Sequence, residues 1–329
     1  MLNFDKRMER VLIKIFNLAM VLLVNYSIIY GQEAVRNITA THVALSSIRG
    51  ENSKPGILSF TSEGEKPENP DIKIIGPQAR YFSIASDKTV NTEGSDSIHL
   101  EVLFKPDFEF IGIAEAQLKV TLSKQVALTY SLRGLSTKAL EGKNEPPLAD
   151  VMQTLGYKVD LGWQTLANHL NSDLQGDELA QQLFIKKQAE KVEIIPLARY
   201  SPSFHLPFGY YLVDDTKPVL NEVGVLSGTK TYPEHQTLFP GLEKGTSSFD
   251  PGDAPFGLFT TSPSHVAYSE DKWNALLFPD HAEHACRIYE ARDDQGIIIP
   301  GQYLVCFEEA ANGDYQDYVF LLKNVMAHQ

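Results

Sequence analysis

The sequence predicts an all-β protein: an immunoglobulin-like sandwich, then a second, loop-rich and jelly-roll-like β-sandwich, with a short helix in the linker. Short runs rich in β-branched and aromatic residues recur from about Ala34 to Thr137 and again in the C-terminal third. Of the 329 residues, 43% are hydrophobic and 22% are charged, a globular composition sufficient for about two domains. A charged stretch with two prolines separates the strand-rich parts, which favours two sandwiches over one.

The N-terminal segment, residues 1–32, is predicted to be a secretory signal peptide. Four lysines and arginines lie within its first 14 positions, a mostly apolar run extends to Tyr30, and Gly31 offers a small residue to a peptidase. An uncleaved membrane anchor is the alternative, although the apolar run is short for a membrane span. We therefore expect a secreted, periplasmic or cell-surface protein that contacts the membrane only through this segment if it is uncleaved.

The first predicted domain, residues 33–137, is the immunoglobulin-like sandwich. Its candidate strands are short and are separated by turn residues, as expected for an antiparallel sandwich of about a hundred residues. In chain order they are GILSF, DIKIIG, YFSIAS, SIHLEVLFKP, AQLKVTLS and VALTYSLRG.

This stretch resembles the immunoglobulin-like modules of the ASPM–SPD-2–Hydin and choice-of-anchor D type that occur in bacterial exported proteins. The motifs that carry the resemblance are LSF at 58–60, YFSI at 81–84, FKP at 104–106, Gly112 within IGIAEAQLKV, and LRGLS beginning at Leu132. The resemblance implies a spacer or adhesion domain without an active site.

Residues 138–157 are predicted to be a linker followed by one short helix. The linker is charged and ends in two adjacent prolines, so we expect few packed contacts to cross it. The segment LADVMQTLG has helical spacing, and we expect it to cap the second domain. The apolar residues on its predicted buried face are Leu148, Val151, Met152 and Leu155.

The second predicted domain, residues 158–329, combines strands with long loops. The loop at 231–257 is rich in proline and glycine, and long ordered loops on a β scaffold often carry binding function. The candidate strands of its C-terminal part are GLFTT, HACRIYEA, QYLVCFEE and DYVFLLKNV.

Two cysteines, Cys286 and Cys306, each lie within a run of strand character. A hairpin centred on Gly296 would place them opposite each other, and a cross-strand disulfide would then form in an oxidising compartment. Two buried reduced thiols are the equally weighted alternative, because disulfide geometry is strict.

The stretch FEEAANGDYQDYVF, residues 307–320, crowds oxygen-bearing side chains into a loop between two strands. The pair Asn312-Gly313 favours a two-residue hairpin turn, because both central residues of a type I′ turn need positive φ. The predicted strand partners in that register are Phe307 with Tyr318, Cys306 with Val319, and Val305 with Phe320.

The same register opposes Glu308 and Asp317, and directly opposed like charges destabilise a strand pair. A looser loop would instead gather Glu309, Asn312, Asp314 and Asp317. Because hard divalent cations bind about six to eight oxygen ligands, the composition favours a calcium site over a solvated acidic turn, which is the alternative. The candidate ligands are Glu308, Glu309, Asn312, Asp314 and Asp317, with Glu270 and Asp271 contributed from elsewhere in the chain.

The run CFEEAANGDYQDYVFLLKNV also resembles the terminal strand-loop-strand of uncharacterised β-sandwich modules in bacterial secreted proteins. Those modules end in a glutamate pair, a Gly-Asp turn, and an aspartate before an apolar strand. This sequence has a shorter acidic loop than they do. The resemblance implies an acidic loop of the same kind and names no ligand.

Two further clusters are weaker candidates. His281 and His284 could bind a transition metal if their segment were helical; a polar loop before a strand is the alternative. Trp273, Tyr210 and Tyr211 could form a platform on which a sugar stacks, with core packing as the alternative.

Charge and motifs narrow the classes of function. The formal net charge of −13 repels nucleic acid, and the sequence has no phosphate loop, dinucleotide-binding glycine pattern, nucleophile elbow or HExxH helix. We therefore expect no nucleic-acid or nucleotide partner, and a non-catalytic exported binding or adhesion protein that engages a glycan or an envelope protein. The alternatives are a carbohydrate hydrolase with its site in the loops at 229–282 and a structural component of the cell envelope.

Overall fold

The structure is a computed structural model, and it describes residues 42–61, 71–85, 97–123, 126–140, 142–163, 173–213, 216–229, 234–309 and 312–328. The predicted signal peptide lies outside these ranges. Across them, no helix has the length and apolar character required to cross a bilayer. The all-β prediction is confirmed: strands make up most of the regular structure, and the two α-helices are short.

Within the described ranges, the first sandwich has seven strands in two sheets. The strands are β1 (His42–Ile48), β2 (Gly56–Thr61), β3 (Asp71–Ile75), β4 (Phe82–Ile84), β5 (Ser97–Phe104), β6 (Gly112–Ser123) and β7 (Val126–Thr137). One sheet has the order β1-β7-β6-β3 and the other has the order β2-β5-β4, with β1 parallel to β7. The sheets meet over a core in which the Phe104 ring lies directly against Gly134, where a Cβ atom would be 2.3 Å from the ring.

The predicted helix is present as α1 (Leu148–Leu155). It starts after Pro147 and ends at Gly156, whose φ of 87° is the left-handed conformation that glycine adopts without steric cost. All four apolar residues of the predicted face are buried, so the helical spacing identified the buried side correctly.

The two sandwiches share a hydrophobic core, and the expectation that few contacts cross the linker is wrong. Within this shared core, apolar side chains from the first sandwich and from α1 pack against those of the second. Ser46 Oγ accepts a hydrogen bond from the Leu238 N–H at 2.9 Å, and Arg133 forms an ion pair with Asp294 at 2.8 Å. Representative members of the shared core are Ala44, Leu135, Val151, Met152, Leu155, Leu197, Leu304 and Leu321.

The second sandwich contains the remaining thirteen strands and α2 (Asp271–Leu277). One sheet has the order β13-β11-β10-β15-β8-β20 with β16 paired to β15, and the other has the order β12-β9-β19-β18-β17 with β14 paired to β9. Aromatic side chains fill the space between them; the Phe208 and Phe320 rings, for example, lie 5.0 Å apart. The strands are β8 (Leu183–Lys186), β9 (Val192–Tyr200), β10 (Leu206–Val213), β11 (Pro218–Leu226), β12 (Gln236–Leu238), β13 (Leu242–Gly245), β14 (Ser248–Phe249), β15 (Phe256–Thr261), β16 (Val266–Tyr268), β17 (Cys286–Arg292), β18 (Ile298–Phe307), β19 (Tyr318–Lys323) and β20 (Val325–His328).

The register predicted for the β18–β19 hairpin is confirmed. The structure pairs Phe307 with Tyr318, Cys306 with Val319 and Val305 with Phe320. The prediction of a two-residue turn at Asn312-Gly313 is wrong. The strands end at Phe307 and resume at Tyr318, and the described residues between them, 308–309 and 312–317, lie outside the strands, in agreement with the looser loop that was the alternative. Gly313 and Tyr315 have positive φ values of 72° and 57°.

Of the two equally weighted alternatives for the cysteines, the structure has the two buried free thiols and not the disulfide. The observed β17–β18 pairing is offset by one residue from the predicted hairpin, so that Cys286 lies opposite Phe307 and Cys306 lies opposite Arg287; a register irregularity between Glu290 and Arg292 separates this pairing from the turn. Because neighbouring strand positions face opposite sides of a sheet, Cys286 points into the core between the sheets and Cys306 into the shared core.

Candidate metal centre

Three carboxylates converge at the loop that joins β18 to β19. Glu308, Asp314 and Asp317 each offer an oxygen atom, and these atoms all lie within 4.8 Å of one another. Glu308 directly follows β18 and Asp317 directly precedes β19, so the strand register brings them together. The positive φ values at Gly313 and Tyr315 fold the intervening loop back, which places Asp314 between them.

Backbone amides hold these side chains in place. Glu308 Oε2 accepts hydrogen bonds from the N–H groups of Asp314 at 2.8 Å and Tyr315 at 3.2 Å. Asp317 Oδ2 accepts one from the Glu309 N–H at 2.7 Å. The acidic cluster, as we call Glu308, Asp314 and Asp317, is thus built by the loop's own backbone, which gives it a defined geometry.

Burial makes the negative charges of the acidic cluster costly. Glu308 and Asp317 are buried and Asp314 is half-buried. Burial, together with repulsion from Glu308, raises the pKa of Asp314 to about 7. Burial and repulsion from Glu308 and Asp314 raise the pKa of Asp317 well above its ordinary value. The loop therefore favours a bound proton or a bound cation over three bare carboxylates.

One buried guanidinium offsets part of this charge. Arg199 is fully buried, and its positive charge interacts with the Glu309 and Asp317 carboxylates. Its described hydrogen bonds go elsewhere: to Ser201 Oγ at 2.9 Å and to backbone carbonyls such as that of Ser227 at 2.6 Å. Arg199 consequently supplies a compensating field without occupying the space between the cluster oxygens.

Two of the predicted ligands support the cluster from outside it. Asn312 Nδ2 donates a hydrogen bond to Asp314 Oδ2 at 2.8 Å. Glu309 Oε2 accepts a hydrogen bond from the Tyr318 hydroxyl at 3.0 Å. Both side chains therefore orient neighbours of the acidic cluster, and neither belongs to the group of three converging oxygens.

The prediction that Glu270 and Asp271 complete this site is wrong. The Glu270 carboxylate accepts hydrogen bonds from Tyr211 Oη at 3.0 Å and Trp273 Nε1 at 2.9 Å, and it pairs with Lys272. Asp271 lies at the start of α2 and binds His284. Both carboxylates are engaged by these partners, and neither belongs to the three converging oxygens of the acidic cluster.

The same contacts overturn the sugar-stacking prediction for Trp273 and Tyr211. Both rings are buried, and Glu270 satisfies their polar atoms, which is the usual arrangement for amphipathic rings in a core. Tyr210 faces the other side of β10, where its ring stacks on Phe249 with centroids 4.4 Å apart. An alternating strand cannot present Tyr210 and Tyr211 on one face.

The predicted transition-metal pair is separated in the structure. His281 stacks on His265 with centroids 3.9 Å apart. His284 is instead clamped between two carboxylates, with Nδ1 3.0 Å from Asp271 and Nε2 2.8 Å from Glu178. Both ring nitrogens of His284 are therefore already engaged.

Sequence reasoning missed a buried charge network that lies beneath the acidic loop. Glu178 forms an ion pair with Arg287 as well as binding His284, and all three side chains are almost fully buried. The Arg287 guanidinium lies 4.7 Å from the Tyr315 ring centroid, and the Tyr315 hydroxyl donates to the His284 carbonyl at 2.6 Å. This network fixes Tyr315, the positive-φ residue on which the loop's path depends.

The network predicts a loss of stability at high pH. Burial lowers the pKa of His284, but hydrogen bonds with Asp271 and Glu178 outweigh it and raise the pKa to about 9. The imidazolium therefore contributes stability that is fully present below pH 6.5 and is lost as the pH rises through about 9. Urea unfolding should show that the free energy of unfolding falls by roughly 3 kcal/mol between pH 6.5 and a pH above 9. The variant His284→Gln should not show this decrease. An equal slope in both proteins would contradict this role.

Comparison with known proteins gives little further information. No family model matches the chain, and no curated protein matches it in sequence. Among solved structures, it is similar to the secreted serine protease VesC from Vibrio cholerae, with 10% sequence identity and a TM-score of 0.22. The match covers 87% of this chain and 51% of that protein, so the chain spans about half of its length. No inference about fold or activity follows from a similarity of this size.

Proposed function

We propose that the protein is an exported, non-catalytic binding or adhesion protein whose second sandwich is stabilised by calcium at the acidic cluster. The observation that carries the cation site is the convergence of three carboxylate oxygens within 4.8 Å in a largely buried loop. Charges packed this closely and shielded from water need a counter-charge, and a divalent cation supplies it at the point where the oxygens meet.

The chemistry of the donors favours calcium. The cluster offers carboxylate oxygens and includes no sulfur or imidazole, which selects hard cations over zinc or copper. The oxygens lie on an irregular loop, and calcium tolerates irregular geometry and more ligands, whereas magnesium demands a near-ideal octahedron. Backbone carbonyls and water would complete the coordination of calcium here.

The binding role is supported by the architecture and by the resemblance of the first sandwich to spacer and adhesion modules. A glycan or an envelope protein is the proposed partner. A glycan array with purified protein tests whether the partner is a glycan. Turnover on a panel of polysaccharides tests the alternative hypothesis that the protein is a hydrolase. Measurable hydrolysis that depends on a carboxylate in the loops at 229–282 would replace the binding proposal.

Calcium is expected to raise the stability of the wild-type protein. Extracellular calcium sites often bind at about 10⁻⁴ to 10⁻³ M, so about 1 mM calcium at the tight end gives roughly 1.4 kcal/mol. Because the two sandwiches are expected to unfold as one unit, with an unfolding entropy of about 2.1 cal/mol/K per residue, this corresponds to an increase in melting temperature of about 2 °C. Thermal melts in EDTA and in calcium measure this increase. If calcium does not change the melting temperature of the wild type, the calcium site is excluded and the loop is a solvated or protonated acidic turn.

Carboxylate variants test whether the calcium-dependent increase in melting temperature arises at the acidic cluster. Asp314→Asn combined with Asp317→Asn should abolish the calcium-dependent shift. In EDTA the same variant should be as stable as wild type or more stable, because repulsion within the cluster is relieved. The matched control, Asp253→Asn with Asp280→Asn, removes two exposed carboxylates of the same sandwich and should retain the shift. A shift that survived in the cluster variant would place the calcium elsewhere.

A further inference from the structure

Two histidine rings stack where the turn between β15 and β16 meets the segment that follows α2. His265 directly precedes β16, and His281 lies beyond the end of α2. Their ring centroids are 3.9 Å apart, with an angle of 14° between the ring planes. The Phe278 ring lies edge-on to both, at 5.8 Å from the His265 centroid and 6.3 Å from the His281 centroid. These three rings fasten residues 278–281, which we call the latch segment, to the β15–β16 turn.

The surroundings of His265 favour its neutral form. The residue is only 5% exposed, and its Nδ1 atom lies 2.9 Å from Ser264 Oγ and 3.2 Å from Ser262 Oγ. Its Nε2 atom is buried and has no hydrogen-bond partner among the residues that the structure describes. Because the charged ring carries a proton on both nitrogens, its Nε2–H group would be buried without an acceptor, which is unfavourable.

The charged group that acts on His265 is His281. Burial lowers the pKa of His265, and the positive charge of His281 lowers it further, to about 4. Tyr268, the titratable residue of β16, has its pKa raised by burial and stays neutral in acid. The charged residues of α2 and of the segment after it are engaged elsewhere or lie in solvent: Asp271 pairs with His284, Lys272 pairs with Glu270, and Asp280 and Glu283 are exposed.

Acid therefore weakens this contact. Since the pKa of His265 in the closed arrangement is below its ordinary value of 6.5, the closed arrangement is fully favoured above pH 6.5 and loses that advantage as the pH falls toward about 4. His281 is partly exposed, so protons reach the pair from its side. Two like charges on rings stacked this closely also repel each other.

We propose that His265 and His281 form an acid-sensitive latch: the stacked neutral rings hold the latch segment on the β15–β16 turn, and protonation in acid releases it. The release is local, because the chain on either side stays anchored. Asn274 Nδ2 of α2 donates to the Glu283 carbonyl at 2.9 Å, and Ala282 packs in the core between the sheets.

Release of the latch segment changes the surface of the second sandwich. It uncovers the Phe278 ring and the Tyr268 ring on which Phe278 stacks. Leu276 and Leu277, which directly precede Phe278, are already exposed. Acid thus enlarges an apolar surface at the end of α2, without using any residue of the acidic cluster.

Hydrogen exchange of the full chain, read by mass spectrometry on peptides that contain residues 278–281, tests the latch between pH 7.5 and pH 4. EDTA in all samples keeps calcium out of the comparison. After correction for the intrinsic effect of pH on exchange, the opening equilibrium of the latch segment should increase about a hundredfold in the wild type. A pKa of 6.5 in the open state and about 4 in the closed state requires an increase of this size. Peptides from β18 and β19 should stay protected.

Two variants and a matched control identify the groups responsible. His265→Asn keeps an acceptor for the Ser264 hydroxyl but gains no proton in this range, so it should remove most of the increase. His281→Phe keeps an uncharged ring in the stack and should reduce the increase in part, because His265 remains buried. The control His205→Asn replaces an exposed histidine of the same sandwich and should respond as the wild type does.

Three results would overturn the latch. The first is equal opening of the latch segment at pH 7.5 and at pH 4 in the wild type. The second is an increase of the same size in the wild type and in both latch variants, which would assign the effect to other groups. The third is loss of protection in β18 and β19 together with residues 278–281, which would mean that acid unfolds the whole molecule. An increase that is confined to the latch segment and is absent from His265→Asn supports the latch.

Discussion

Arg287→Met is expected to lower the free energy of unfolding by about 3 to 5 kcal/mol, because it leaves the Glu178 charge buried without its guanidinium. The Arg287 and Glu178 side chains are 0% and 1% exposed, so water cannot replace the lost partner. The variant also removes the guanidinium that lies over the Tyr315 ring, so the acidic loop should become less ordered as the core is destabilised. Urea unfolding at pH 7 measures the change.

The matched control is Arg292→Met in the same strand. Arg292 pairs with Asp177 at 3.4 Å, but both side chains are partly exposed, and such pairs contribute about 1 kcal/mol or less. The combination of Arg287→Met with Glu178→Gln should recover part of the loss, since the buried carboxylate that lost its guanidinium is then neutral. Equal losses in Arg287→Met and Arg292→Met would show that burial of the pair does not set the cost.

Met152→Ala is expected to destabilise the whole molecule by about 2 to 5 kcal/mol, the usual cost of truncating a buried methionine. Met152 is 1% exposed on α1, in the shared core. Because that core contains side chains of both sandwiches, calorimetry should record one unfolding transition that moves as a unit. Met326→Ala, at an exposed position of β20, should change stability by about 0.5 kcal/mol or less.

Two separate transitions, of which Met152→Ala moves only one, would contradict a shared core. They would instead restore the sequence-based expectation of two units that fold independently of each other. Stable fragments produced by cleavage at Lys138 or Lys143 would likewise indicate that the two units fold independently. The single transition is expected because apolar side chains of both sandwiches pack in the same core.

Local patterns in the sequence determined several features of this protein. The position of the Asn312-Gly313 pair predicted the pairing of β18 with β19 from Val305–Phe320 to Phe307–Tyr318, in which apolar residues lie opposite one another. That pairing already placed Glu308 near Asp317. The spacing of Leu148, Val151 and Leu155 likewise determined the buried face of α1.

Tertiary structure decided the rest, because those features depend on residues that are distant in the chain. Extra residues of β18 opposite the segment from Glu290 to Arg292 offset Cys286 from Cys306, and no local pattern marks such an irregularity. His284 could be read as a metal ligand until packing supplied Glu178 and Asp271 as its partners. Whether a polar side chain serves a ligand, a core or a charge network depends on which partners it is buried with. Those partners come from distant parts of the chain, as when folding brings Glu178 against Arg287 of β17.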